Sequence, residues 1–204
     1  MKKTKGFFAV LLVVLIGGVA CNLIDGDKEE TDPDKTIGKV GNYWGMYVDN
    51  EDLGDVTITQ NNNGNVVATF DYDGGTHTIE GKITSNGISD YVYSNGDKSK
   101  PFTLVKFDAK VGDKWEYNVG DKKVVREVVR KSTEDDVEYL FWLVKTIDVE
   151  ETIPSGTLVN GSASQIKKIL WKFNHKFGFI EATVTKTDNT ESDITTLTNA
   201  GDEG

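Results

Sequence analysis

Cysteine is almost missing from this chain: among 204 residues there is one, Cys21. A body without a second thiol forms no internal disulfide and no thiolate metal site, even in an oxidising compartment. Histidine is nearly as scarce, with His77 and His175 the only two. The base that would activate a hydroxyl nucleophile therefore has few sources. No serine stands in a Gly-x-Ser-x-Gly turn, and no glycine-rich loop opens a helix whose N-terminus would hold a phosphate. Positive charge is also in deficit, with 23 Lys and Arg against 33 Asp and Glu and a formal net charge of −10. No basic cluster interrupts that field, so nucleic acid is excluded as a partner and anionic surfaces are repelled.

What is present begins with a division by chemistry. Lys2, Lys3 and Lys5 make a positive start, Phe7 to Ile16 run without a polar residue, and Gly17, Gly18, Val19 and Ala20 are small. That apolar run is too short to span a bilayer, which takes roughly 20 residues at about 1.5 Å each. The order of positive, apolar and small residues predicts a removable signal peptide over residues 1–20, cleaved between Ala20 and Cys21. Removing its three lysines takes the net charge from −10 to −13.

Gly18-Val19-Ala20-Cys21 resembles the lipobox of bacterial lipoproteins, departing from it at Gly18, where leucine is commonest. The resemblance implies that the Cys21 thiol is acylated and the chain is tethered to a membrane through it. Two or more acyl chains anchor stably where one anchors only marginally. Asn22 is not the aspartate of inner-membrane retention, and Lys28-Glu29-Glu30 resembles the export signal of Bacteroidota surface lipoproteins. Localisation is thus expected at the outer membrane, with the surface face favoured over the periplasmic one. Residues 21–36 are acidic and polar apart from Leu23 and Ile24, which predicts a flexible tether.

Residues 37–187 read as a single β domain. Asn63-Gly64, Asp73-Gly74, Asn86-Gly87 and Asn95-Gly96 are turn signals at short intervals, and the segments between them alternate in polarity. Strands are predicted around 43–48, 56–60, 66–72, 76–84, 88–93, 102–107 and 114–119. Lys122 to Lys131 and Ile166 to Phe173 fit a helical stripe as well, but their valine content and alternation favour strands. Phe179 to Thr187 completes a hairpin. Val137 to Val149 reads as one strand covered on both sides, with Val137, Tyr139, Phe141, Leu143 and Ile147 on one face and Leu140, Trp142 and Val144 on the other. Residues 188–204 are polar apart from Ile194 and Leu197, which predicts a disordered tail. The fold class expected is all-β: an antiparallel meander of about ten strands, curled into a barrel or half-barrel or split into a two-sheet sandwich, with little helix. Val111-Gly112-Asp113-Lys114-Trp115-Glu116-Tyr117, and Trp171 to Ile180 with Gly178 opening its last strand, resemble segments of uncharacterised Bacteroidota lipoproteins. That resemblance implies fold and location, and no activity.

Few residues suggest chemistry. His77 lies on the apolar register of its strand and reads as a structural histidine, and His175 falls in a turn. Asp71, Asp73 and Gly74 resemble only the opening of a calcium loop and read more simply as a hairpin turn. Neither a catalytic residue nor a metal ligand is assigned, and no cofactor is called for. Trp44, Trp115, Trp142 and Trp171 are candidates to stack on a sugar or line an apolar pocket, with core burial the competing reading for each. Trp142 is the candidate ligand-binding residue. The function expected is a non-enzymatic, lipid-anchored β domain that binds a small molecule, a glycan or a protein. The alternatives are a structural subunit of an envelope assembly and, last, a hydrolase using paired carboxylates.

Overall fold

The computed structural model describes residues 37–159 and 161–199. Cys21, Ala20 and the segments expected to be a signal peptide and a tether therefore lie outside the described residues. The strands are β1 (Tyr43–Val48), β2 (Glu51–Asn62), β3 (Asn65–Tyr72), β4 (Gly75–Thr84), β5 (Gly87–Asp90), β6 (Phe102–Lys106), β7 (Lys114–Val119) and β8 (Lys122–Lys131). They continue with β9 (Val137–Tyr139), β10 (Trp142–Val144), β11 (Ile147–Thr152), β12 (Leu158–Val159), β13 (Ser162–Ala163), β14 (Ile166–Asn174), β15 (Gly178–Lys186) and β16 (Glu191–Thr198). One short 3-10 turn, Val92–Ser94, is the only helical element among the described residues.

Twelve strands form one antiparallel sheet in the order β6-β5-β4-β3-β2-β1-β16-β15-β14-β11-β8-β7, curled into a nearly closed barrel. The chain winds from β1 to β6 in one direction and from β7 to β16 back to the start, so β16 zips against β1 from Trp44↔Thr198 to Val48↔Ile194. The two sheet edges are β6 and β7, neighbours in sequence with no ladder between them. All twelve strands begin or end at one of two rims. Residue 37, the turns β2–β3, β4–β5 and β14–β15, and the β8–β11 connection share the rim called here the entry end.

Turn chemistry sets several registers. Asn63 and Gly64 (φ 52° and 83°) and Asp73 and Gly74 (φ 51° and 80°) occupy two-residue hairpins, the positive-φ geometry that Asn-Gly and Asp-Gly favour. At the third signal the turn centre is Ser85-Asn86, because Thr84 pairs with Gly87. Gly87 instead lies within β5, where a Cβ would stand 2.2 Å from the Val105 carbonyl oxygen. The expected strand 88–93 stops at Asp90, whose Oδ1 accepts the Val92 amide at 3.0 Å and turns the chain into the 3-10 segment.

Two expectations are corrected. Within the segment read as a disordered tail, Glu191–Thr198 forms β16, paired on both sides, with Ser192, Ile194 and Thr196 buried. Its polar appearance comes from the outward register of Glu191, Asp193 and Thr195, while threonine and serine serve the inward one. The long strand 137–149 is broken: β9 and β10 fold back as a hairpin around Leu140 and Phe141, and β11 starts only at Ile147. No Gly, Asn or Asp marks that turn, and Leu140 adopts φ 55°, a conformation costing a leucine about 1–2 kcal/mol.

The main core fills the barrel with Met46, Val48, Val105, Val124, Val128, Val149, Ile169, Trp171, Phe173 and Val184 among its members. A second cluster around Ile37, Trp44, Ile58, Val66 and Ala68 closes the entry end. A third, separate cluster joins Tyr139 and Val144 of the hairpin to Phe177 and Ile180. Outward positions carry charge: Lys168 pairs with Glu150 at 3.4 Å, and Lys172 with Glu181. A barrel that spans a bilayer needs an apolar outer band instead.

Candidate functional site

Three features could support function: a buried polar network, a cavity on the barrel axis and a cleft at the entry end. The network centres on Arg126, which has the same inward register in β8 as Val124 and Val128 and is fully buried. Its Nε donates to Glu151 Oε2 at 2.9 Å, its Nη2 meets Asp90 Oδ2 at 2.7 Å, and its Nη1 donates to the Phe102 and Thr103 carbonyls at 3.1 and 3.3 Å. The guanidinium lies over the Phe102 ring at 4.0 Å. Glu151 also accepts the Trp171 indole N–H at 3.0 Å and the Tyr93 hydroxyl. Burial alone would depress Arg126, but the Asp90 and Glu151 carboxylates outweigh it and hold the group charged. Burial is the main cause that pushes Asp90 up, with Arg126 opposing it. Burial, reinforced by the neighbouring Glu151 charge, likewise holds the Tyr93 phenol well above its ordinary range.

This arrangement leaves Arg126 with no free edge to offer a substrate. Its partners come from β5, β6 and β11, so one side chain stitches across the seam where β6 and β7 lack a ladder. The carbonyls it takes up belong to β6, one edge of the sheet. Tyr93, Phe102 and Tyr117 fill the same seam, with ring centroids 5.4–6.2 Å apart. The network is a fastener for the barrel.

The axial cavity is about 170 Å³, lined from Ile37 at the entry end to Asp90 and Arg126. Its wall is mostly apolar, including Trp44, Ile58, Val66 and Phe179. Pockets for drug-sized ligands run roughly 300–1,000 Å³, so this space is small for one. The cleft at the entry end is about 420 Å³. Phe107, Ile147 and Phe173 supply its apolar wall, and Lys131, Lys145, His175 and Asp108 its charged or titratable rim. Lys131 is fixed by donating to the Phe107 and Ala109 carbonyls at 3.0 and 2.8 Å. On the neighbouring side Arg130, Ser132, Asp136, Thr146 and Asp148 form a linked set of hydrogen bonds that holds the base of the β8–β11 connection.

The residues singled out from sequence are scattered. Trp44 and Trp171 are core, Trp115 is half-buried, and Trp142 is exposed on the β9–β10 hairpin rather than in the cleft wall. The second apolar layer expected over residues 137–149 is not there: Phe141 is 99% exposed, and Trp142 and Leu143 63% each. His77 is exposed, stacks on Phe70 at 5.3 Å and hydrogen-bonds the Tyr72 carbonyl at 3.2 Å. His175 borders the cleft. Asp73 and Gly74 form a turn and Asp71 accepts the Thr76 hydroxyl at 2.6 Å, which accounts for the calcium-like spelling. Among the described residues no three His, Asp or Glu side chains gather as a metal site.

Sequence reasoning passed over Arg126, Glu151, Asp90 and Tyr93. A signal existed in two of them: Arg126 falls between Val124 and Val128, and Glu151 between Val149 and Ile153, both in the inward register. Compared with known proteins, the chain matches no family model, no curated sequence and no solved structure.

Proposed function

We propose that this protein is a non-enzymatic binding module of the bacterial cell envelope, anchored at the outer membrane by acylation of Cys21, and that the entry-end cleft takes its ligand. The observation carrying the binding reading is the cleft itself, about 420 Å³, with an apolar wall of Phe107, Ile147 and Phe173 beneath Lys131 and Lys145. Such a combination suits a small molecule with an apolar body and an acidic group, the apolar part giving affinity and the cations orientation. The polar network is saturated by its own members, which favours binding over catalysis. The anchor rests on the signal-like order of residues 1–21.

An anilinonaphthalene sulfonate has the required shape and charge, and titration by calorimetry tests the cleft. Saturable binding is expected, weakened about tenfold by Lys145→Glu, equivalent to roughly 1.4 kcal/mol. Non-saturable binding, or equal affinity in the variant, would reject the cleft. Anchoring is tested separately by membrane fractionation of a lipoprotein-processing bacterium: the wild-type chain should follow the outer membrane and Cys21→Ala should not.

A further inference from the structure

The β9–β10 hairpin projects three consecutive apolar side chains, Phe141, Trp142 and Leu143, into solvent. Its base is firmly mounted. Tyr139 and Val144 are buried, the Tyr139 ring packs on Phe177 at 5.4 Å, and its hydroxyl lies 3.2 Å from Thr196 Oγ1. Leu140 takes the left-handed conformation that Asn63 and Asp73 take in the other hairpins, so the tip is held in a shape its own residues do not favour. Nothing in the core requires Phe141 or Trp142 to be apolar.

The tip stands at the same rim where the described chain begins. Phe177, which packs on Tyr139, offers its carbonyl to the Trp44 indole at 3.0 Å, and Ile37 lies against Trp44 and Gly178. The chain preceding Ile37 therefore leaves from this end, and Cys21 is sixteen positions earlier. Extended, that length reaches at most about 55 Å. That reach is long enough to let the entry end lie on a membrane.

We propose that the Phe141-Trp142-Leu143 tip is a membrane-interface contact that seats the entry end of the barrel on a zwitterionic lipid surface. The orientation argument rests on the anchor reading above; the chemistry of the tip does not. Tryptophan with neighbouring apolar residues suits the boundary between headgroups and acyl chains. A stable protein interface buries about 800 Å² on each partner, more than three side chains at a two-residue turn can supply. Lipid, by contrast, accepts a small wedge. The net charge of −13 from Cys21 onward, with Glu134, Asp135, Asp136 and Glu138 exposed before the tip, opposes approach to an anionic surface and selects a neutral one. Three side chains alone bind weakly. A tether supplies the missing strength by raising the local lipid concentration into the millimolar range.

The test uses the chain from Cys21 onward, which retains all three core clusters. Its single thiol couples it to a maleimide-bearing lipid in phosphatidylcholine vesicles, whatever modification Cys21 carries in the cell. Expected are a blue shift of tryptophan emission on coupling and quenching by lipids brominated near the headgroup. In a Trp115→Phe background, which removes the one other tryptophan that is not buried, Trp142→Phe should abolish both, since Trp44 and Trp171 are buried in the barrel. Phe141→Ser with Leu143→Ser should reduce the quenching while leaving the melting temperature unchanged. Phosphatidylglycerol vesicles should give less quenching, with the difference shrinking as salt is added. Equal quenching in wild type and Trp142→Phe would overturn the proposal. So would a Trp142 shift that appears without vesicles as protein concentration rises, which would make the tip a contact between copies. Loss of fractionation in Cys21→Ala bears on the anchor alone, and sulfonate titration on the cleft alone, so each idea fails independently.

Discussion

Arg126 is the residue on which the barrel's closure turns. Burying a guanidinium costs several kcal/mol, which only full pairing offsets. Here Glu151, Asp90 and two edge carbonyls supply that pairing, and Phe102 stacks on the plane. Arg126→Ala should leave Glu151 buried without its cation and lower stability by about 3–5 kcal/mol, read from urea unfolding. Tyr93 gives the network a pH signature. Its ordinary value of 10.0 applies to the unfolded chain, and the fold raises it well above that. Above pH 10 unfolding therefore releases the Tyr93 proton, and stability should fall as pH rises toward the folded value. Tyr93→Phe removes that slope while losing the hydrogen bond to Glu151, so its melting temperature should be lower near neutrality and decline less steeply in alkali. A parallel decline in both proteins would show that Tyr93 is not the titrating group. None of these partners was readable as a group, because Asp90 with Tyr93, Arg126, Glu151 and Trp171 come from four separate parts of the chain. The unusual parity of Arg126 and Glu151 was readable, and marks a charge facing inward.

Among the elements, β16 separates local from global information. Alternation alone makes Glu191–Thr198 an acceptable strand, but its low apolar content and terminal position suggested a tail. Its place between β1 and β15 makes it central: without it those two strands become open edges and the sheet splits into two halves. A chain ending at Asp188 should lack a cooperative unfolding transition, as followed by circular dichroism and calorimetry; a chain merely trimmed after Asn199 should keep it. The β9–β10 hairpin shows the converse failure. Alternating apolar residues from Val137 to Val149 indicate a strand, and local chemistry contains no turn signal at Leu140-Phe141. The reversal is imposed from outside, by Tyr139 packing on Phe177 and by β11 pairing with β8 from Ile147↔Lys131 onward.

For the whole molecule, composition and turn spacing were sufficient for the class of fold. The hairpins at Asn63-Gly64 and Asp73-Gly74, the strands β1, β7 and β8 and the scarcity of helix follow from backbone preference and period-two alternation, both local properties. Barrel against sandwich was beyond them, because closure depends on which distant strands meet. That outcome was settled by β16 zipping onto β1 and by Arg126 reaching across the β6–β7 seam. The cleft is of the same kind. Phe107, Lys131, Lys145, Phe173 and His175 are unremarkable in sequence and converge only because the β6–β7, β8–β11 and β14–β15 connections share one rim. Sequence by itself determined an acidic chain with one thiol and a strand-built body that contains none, since charge, thiol count and alternation are counted along the chain. Tertiary structure alone decided the closure, the buried ion network, the cleft and the exposed tip, since each requires side chains far apart in the chain to exclude water from, or leave it on, the same surface.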